Sequence, residues 1–211
     1  GTAFLLGILI AIPVGVISAV KQYSAFDNIA TTFAFIGYSI PTFFSGLLLI
    51  LLFSVKLGWL PFIYNADVQS FWGTVKQSIM PVTVLALFSS AQLTRYMRSS
   101  MLETINQDYV RTARAKGLRE RAVLIFHAMR NAMIPVVTII ALQIPSVIGG
   151  AIITEQIFLI PGIGSALIRA MQSKDIPVVM AITFGISVLV VLFNVIADIL
   201  YALMDPRIKY S

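Results

Sequence analysis

Residues 107–135, QDYVRTARAKGLRERAVLIFHAMRNAMIP, form the one long polar island in the chain, and their reading decides the fold. The island carries Arg111, Arg114, Lys116, Arg119, Arg121, Arg130 and His127 against only Asp108 and Glu120. Charges at that density are too costly to place in hydrocarbon, so the island sits in water and the apolar remainder is the scaffold that carries it. Tyr109, Ala113 and Gly117 recur at helical spacing, which predicts a helix of about three turns stopping at Gly117. A second helical pattern follows, with Leu118, Ala122, Ile125 and Met129 on one face and Arg119, Arg121, His127 and Arg130 around it. Pro135 then opens an apolar run. The order is helix, glycine break, helix, membrane.

Composition agrees with that division. The 211 residues are 58% hydrophobic and 11% charged, with mean hydropathy +0.92, which places the chain among all-α polytopic membrane proteins. One transmembrane domain is expected over 1–211, with the polar loop at 104–130 inside it. With no cysteine there is no disulfide framework or thiolate metal site, and the lone His127 builds neither a metal centre nor a Ser-His-Asp arrangement. No glycine-rich loop ending in Gly-Lys-Ser/Thr occurs, so any ATP is expected to be hydrolysed on another subunit. Neither a catalytic residue, a metal nor a cofactor is expected on this chain.

Five apolar runs are long enough for membrane spans at about 1.5 Å per residue. Residues 2–20 form the first, and along it Ala3, Gly7, Ala11, Gly15 and Ala19 make a small-residue stripe that admits another helix closely. Residues 28–55 form the second, where Pro41 predicts a tilt or kink. A loop at 56–77 with Trp59, Tyr64, Phe71 and Trp72 reads as an interfacial aromatic belt. Residues 78–94 form the third and run on through Arg95, Arg98 and Glu103 as a helix leaving the membrane. Residues 131–158 form the fourth, interrupted by Pro145, Gly149 and Gly150, whose freed backbone groups call for a packed interior or a water-filled path. A short helix at 165–172 leads to the fifth, residues 176–203. Glu155 and Asp198 are the acids noted inside apolar runs, functional by default but also able to reach an interface or a neighbouring helix.

Alternation of the spans puts Lys21, Arg95, Arg98, the island cations, Arg207 and Lys209 on one side. Lys56, Lys76, Arg169 and Lys174 fall opposite, so eleven of the fifteen Lys and Arg share the island side, which the positive-inside rule makes cytoplasmic. The net charge of +6 is accounted for by this bias rather than by nucleic-acid binding.

The run YVRTARAKGLRERAVLIFHAMRNAMIP resembles the cytoplasmic EAA coupling loop of permease subunits of bacterial ATP-binding-cassette importers, in their dipeptide/oligopeptide branch. The EAA triplet corresponds to Arg111, Thr112 and Ala113, and the fixed glycine of that loop to Gly117. Arg111, Thr112 and Arg130 depart from the general pattern in a way typical of the peptide branch. Glu155, Phe158, Pro161, Gly162 and Gly164 resemble the family's E-x-x-F-x-x-P-G-x-G element, and Asn194, Asp198, Tyr201, Asp205, Pro206 and Arg207 its C-terminal pattern.

The resemblance implies five transmembrane helices of a type I importer permease core, half of a translocation pathway working by alternating access. It implies a second homologous permease subunit, two ABC ATPase subunits and an extracytoplasmic substrate-binding protein as partners, in the lipid bilayer of the bacterial cytoplasmic (inner) membrane. Tyr109, Arg111, Thr112, Ala113, Arg114, Ala115, Lys116 and Gly117 are the implied ATPase-coupling residues, and Pro145, Gly149, Gly150, Glu155, Pro161, Gly162 and Gly164 the implied pathway or gate residues. The small Ala113 and Gly117 face is expected to seat in a groove of the ATPase, with Arg111 and Arg114 meeting its carboxylates or carbonyls. Family members begin with one more helix and an external loop, so the chain is expected to be a fragment. An ion-coupled secondary transporter or channel, with Asp198 as an ion site, is the alternative class, although it has no evident need of the basic helix pair. Di- and oligopeptides, glutathione and a nickel chelate stay open as cargo.

Overall fold

The computed structural model describes the backbone of residues 1–148 and 151–204, and every regular element in it is helical. The first helix, α1 (Thr2–Val20), buries Ala3, Gly7, Ala11, Gly15, Ser18 and Ala19, while Leu5, Leu6 and Leu9 stay exposed. The buried stripe lies against α4 (Phe71–Ile105). A Cβ placed on Gly15 would fall 2.7 Å from Met97 Cβ, and one on Gly7 would collide with the Ser89 hydroxyl. The expected close approach is therefore made, and it is made within this chain.

The second span turns rather than kinks. Helix α2 (Ala25–Ser39) ends at Ile40, whose φ of −82° and ψ of 123° are the extended values that a following proline imposes. Helix α3 (Thr42–Leu49) starts after Pro41 and continues as a π-helical stretch, Ile50–Lys56. The two halves meet at 100°, so residues 28–55 are either a broken span or a re-entrant pair, and not one tilted rod. The expected aromatic loop is also shorter than 56–77, because α4 begins at Phe71.

Three helical runs are long and apolar enough to cross a membrane, Thr2–Val20, Glu120–Pro145 and Ile176–Ile199, and the bent pair makes a fourth. Helix α4 has 35 residues, about 52 Å of rise, and covers the whole expected third span. Its Gln77, Ser89, Ser90, Gln92, Thr94, Arg95 and Arg98 lower its hydropathy, and most of these are covered by neighbouring helices.

Beyond α4 lie α5 (Asp108–Ala115), the single turn α6 (Glu120–Ala122), a π-helical stretch Val123–Met129, and α7 (Arg130–Ile148). The helical run that carries the expected fourth span thus starts at Glu120, ahead of the apolar stretch at 131, and stops before α8 (Ile152–Ile157), which is separate. Gly149, Gly150 and residues 205–211, with Asp205, Pro206 and Arg207, lie outside the described residues. Helices α9 (Ile163–Gln172) and α10 (Ile176–Met204) follow closely the expected short helix and last span.

A polar lock ties the α1–α2 corner to α4. Asp27, only 2% exposed, accepts bonds from Arg98 Nε and Nη2, each 2.7 Å, from the Ser18 hydroxyl, from the Tyr23 amide at 2.9 Å and from Thr31 Oγ1 at 3.3 Å. The fork-to-fork geometry satisfies both carboxylate oxygens, which is what makes a buried charge tolerable.

Two outcomes test this packing. Gly15→Leu overfills the α1–α4 contact and should cost roughly 1–3 kcal/mol, whereas Ile8→Leu, off the stripe, should cost under about 1.5 kcal/mol; thermal unfolding in detergent reads the difference. Asp27→Ala leaves Arg98 uncompensated and should lose up to about 3 kcal/mol, much of it recovered by adding Arg98→Leu, since removing both charges is far less costly than removing one.

Candidate functional site

Helix α5 is held against the bundle by one face. Val110 is fully buried and Ala113 is 6% exposed, both in a cluster with Ala19, Met97, Met101, Val123, Ala128, Ala132 and Val136. This corrects the expected use of Ala113, whose small side chain seats against the chain's own membrane helices. The opposite face carries Asp108, Arg111, Thr112 and Ala115, all exposed, with exposed Lys116 beside it. Tyr109 is 42% exposed, and its hydroxyl accepts a bond of 3.0 Å from Asn131 Nδ2, which ties α5 to the start of α7.

The helix spans two turns rather than three and ends by the glycine route. Gly117 has φ of +78°, and its amide donates to the Arg114 carbonyl at 2.9 Å. Nothing stands within 4 Å of a Cβ built there, so the glycine is required by the backbone and not by a close neighbour. Arg114 turns back across this corner to Glu120, with Nη2 to Oε1 at 2.8 Å and Nε to Oε2 at 3.2 Å. Its expected role toward a partner is thus taken by an internal pair. That hydrogen-bonded guanidinium holds the Glu120 carboxyl below its ordinary value. A depressed acid contributes above its unfolded pKa and is lost as pH falls through the folded one, so the corner pair holds throughout the neutral range. It is exposed on both sides and worth about 0–1 kcal/mol.

The second helix of the island presents a different face from the one that its spacing predicts. Val123, Ala128, Ala132 and Val136 are buried, whereas Leu118 and Ile125 are 45% and 48% exposed. The wider π turn between Val123 and Met129 shifts the register, so the inward positions step by five residues before returning to four.

At the far end of the molecule a cavity of about 580 Å³ lies between the start of α1, α4, α7 and α8. Glu155 and Pro161 line it, together with Tyr64, Ser78, Ser89, Gln92 and Gln143. Pro145 is buried inside α7 two residues from Gln143, on another side of the helix, and does not line it. A Cβ on Gly162 would strike the Glu155 carboxyl, whereas one on Gly164 would first meet Ile152, 2.5 Å from its Cγ1, and lie 3.0 Å from Glu155 Oε2. The space so created lets Glu155 Oε2 accept the Ser165 amide at 2.8 Å, capping the first turn of α9. Phe158, 2% exposed, packs with Met80 and Val84 and holds α8 to α4. Asp198 lies exposed on α10.

Three polar groups escaped the reading of the sequence. Asp27 falls in the gap between the expected spans at 2–20 and 28–55, although Ser24 three residues earlier marks a helix start, and Ser24 Oγ does accept the Asp27 amide at 3.2 Å. Gln92 and Gln143, whose side chains meet at 3.4 Å, are amides inside helical runs and could have been found by that criterion.

Because Gly117 is required for its positive φ, Gly117→Asn should be tolerated better than Gly117→Val, which adds a β-branched side chain to a left-handed position costing about 1–2 kcal/mol for ordinary residues. Protease susceptibility of the 116–120 corner in membranes measures this directly.

Comparison with known proteins accords with the geometry. An oligopeptide transport system permease protein, AppB of Bacillus subtilis (strain 168), is 49% identical over 210 residues, covering 98% of this chain and 66% of that protein. A di/tripeptide transport system permease protein, DppB of Pseudomonas aeruginosa (strain UCBPP-PA14), is 43% identical over 93% of this chain and 65% of its own length. A putative peptide permease protein of Brucella suis biovar 1 is 44% identical over 98% of this chain and 66% of its own. The chain thus spans just under two thirds of the length of these relatives. Among solved structures, the crystal structure of an amino acid ABC transporter with histidines superposes with a TM-score of 0.58 at 17% identity, over 94% of this chain and 87% of that one, which speaks for the fold. Residues 11–210 match the family described as the binding-protein-dependent transport system inner membrane component, and the chain belongs to that family.

Proposed function

We propose that the chain is a permease subunit of an ATP-driven importer for di- and oligopeptides in the bacterial cytoplasmic membrane, forming half of the translocation pathway. The partners in this reading are a second, homologous permease, two ATPase subunits and an extracytoplasmic binding protein. The observation that carries it is α5, a two-turn helix packed by Val110 and Ala113 onto the membrane bundle and open on its other side at Arg111, Thr112 and Ala115. A chain with no phosphate-binding loop has to receive work mechanically, and an element bonded to the bundle on one face and free on the other is suited to receive it. Arg111 and Lys116 can offer charge-assisted hydrogen bonds of about 1.5–3 kcal/mol each to an ATPase surface. The peptide cargo is supported by the names of the relatives, among them an oligopeptide and a di/tripeptide permease.

A basic loop resting on anionic lipid would gain about 1 kcal/mol per charge without any groove. Bulk separates the two readings. Ala115→Trp changes no charge and lies on the open face, so lipid attraction survives while a docked helix is displaced. We expect this variant to insert normally, to lose most ATPase co-purification and to lose transport; full retention of both would remove the coupling assignment. Ala113→Trp is unsuited to the purpose, because it would disrupt the chain's own core.

A further inference from the structure

Two arginines border a second cavity, and only one of them is paired. This cavity, about 580 Å³ between α2 and α4, has Thr31, Phe35, Tyr38, Gln92, Arg95 and Arg98 around it. Arg98 gives two N–H groups to Asp27. Arg95 has no carboxylate partner and no hydrogen-bond acceptor among the described residues. Its guanidinium carbon instead stands 4.5 Å from the Phe35 ring centroid and 5.9 Å from that of Tyr38. Aromatic rings brace a guanidinium through its faces and leave its planar edge, the part that reads a carboxylate with two parallel bonds, without an acceptor.

Depth makes the unpaired charge informative. Gly15 of α1 lies level with Met97 and the Thr94 carbonyl, which puts Arg95 about 7 Å inside the end of α1 at Val20. At that level the third span gives way to the cytoplasmic end of α4, and the Arg95 side chain is exposed, so its guanidinium is open to an anion that enters the cavity. No carboxylate lines the cavity, and Asp27, the partner of Arg98, is already taken by that guanidinium and by Ser18, Tyr23 and Thr31. Its surroundings also connect it to the first cavity: Gln92 borders both, and Phe88, which lines the first, stacks on Tyr38 with centroids 5.8 Å apart.

We propose that this second cavity is a carboxylate site, in which Arg95 takes the C-terminal carboxylate of the transported peptide after it has passed Gln92 and Phe88. The inference rests on the peptide-importer reading and adds a recognition point inside the permease. The site is transient by construction: one guanidinium, two rings and no enclosing acid give enough attraction to receive an anion and too little to retain it.

The test uses the full importer complex in nanodiscs without its binding protein, with a fluorescent tripeptide as free acid and as C-terminal amide. The acid should bind the wild-type complex about tenfold more tightly than the amide, the ratio that 1.4 kcal/mol produces. In Arg95→Gln that ratio should fall to near one, and Arg95→Lys, which keeps the charge but not the fork, should give an intermediate ratio. Equal binding of acid and amide to the wild type, or no saturable binding of the acid, overturns the proposal without any variant having to fold. A ratio that survives in Arg95→Gln overturns it as well. The parent reading has its own readout, peptide uptake by the wild-type complex with binding protein and ATP; if uptake occurs and the acid–amide ratio is one, only the Arg95 site fails, and if no uptake occurs both fail.

Discussion

Helix α4 has to carry Gln77, Ser89, Ser90, Gln92 and Thr94 across the bundle and Arg95 and Arg98 out at its end, and the rest of the bundle is arranged around that constraint. Polar groups in lipid have to find partners inside the protein. The hydroxyls of Ser78, Ser89 and Ser90 bond carbonyls of α4 itself, and Ser100 reaches across to the Ala132 carbonyl of α7 at 2.7 Å. Gln77 exchanges two bonds with the backbone of Asn65, and Arg98 takes Asp27. Gln92 meets Gln143 of α7, and the backbone near Ser89 and Thr94 is covered by the α1 stripe, where Gly7 and Gly15 let α1 lie against α4 more closely than any side chain would permit.

Features encoded by neighbours in sequence were legible. The stripe of Ala3, Gly7, Ala11, Gly15 and Ala19 shows in a four-residue period, the stop of α5 in Gly117, and α9 and α10 in uninterrupted helical runs. Features that depend on distant partners were not. Asp27 reads as a linker acid because its partner Arg98 is 71 positions away, and no periodicity links them. The use of Ala113 was misread for the same reason: a small residue on a short helix can face a partner or its own bundle, and only the positions of Met97, Met101 and Ala132 decide. The π turn at Val123–Met129 altered the buried face of the next helix, since a 3.6-residue wheel cannot represent a five-residue step.

The candidate pathway shows the same division. Glu155 and Pro161 were found through a motif and do line the first cavity, but the glycines of that motif turn out to shape the Glu155 cap and not the cavity wall. Two further polar residues that border the first cavity, Gln92 and Gln143, stand on α4 and α7 among apolar neighbours, where composition over a long window averages them away.

Continuity of α4 joins these elements mechanically. One helix runs from Phe71, beside the loop pinned by Gln77 and Asn65, to Ile105, with only Asn106 and Gln107 between it and α5. On the proposed reading a load on the open face of α5 passes through Val110 and Ala113 into Met97 and Met101 of the same rod, and through Tyr109 into Asn131 of α7. Arg114 and Glu120 close the Gly117 corner, so the load is not absorbed there. Nor is it easily absorbed at the α1–α2 corner, where five donors converge on Asp27 and fasten it to α4 only two turns above the end of that helix. The compliance that remains lies where the chain turns without helical bonds, at Ile40–Pro41 and at Leu159, whose φ of 53° is rare for a branched side chain. Both flank elements packed around Phe158, so on the proposed reading displacement of a rigid α4 is relieved at those two turns.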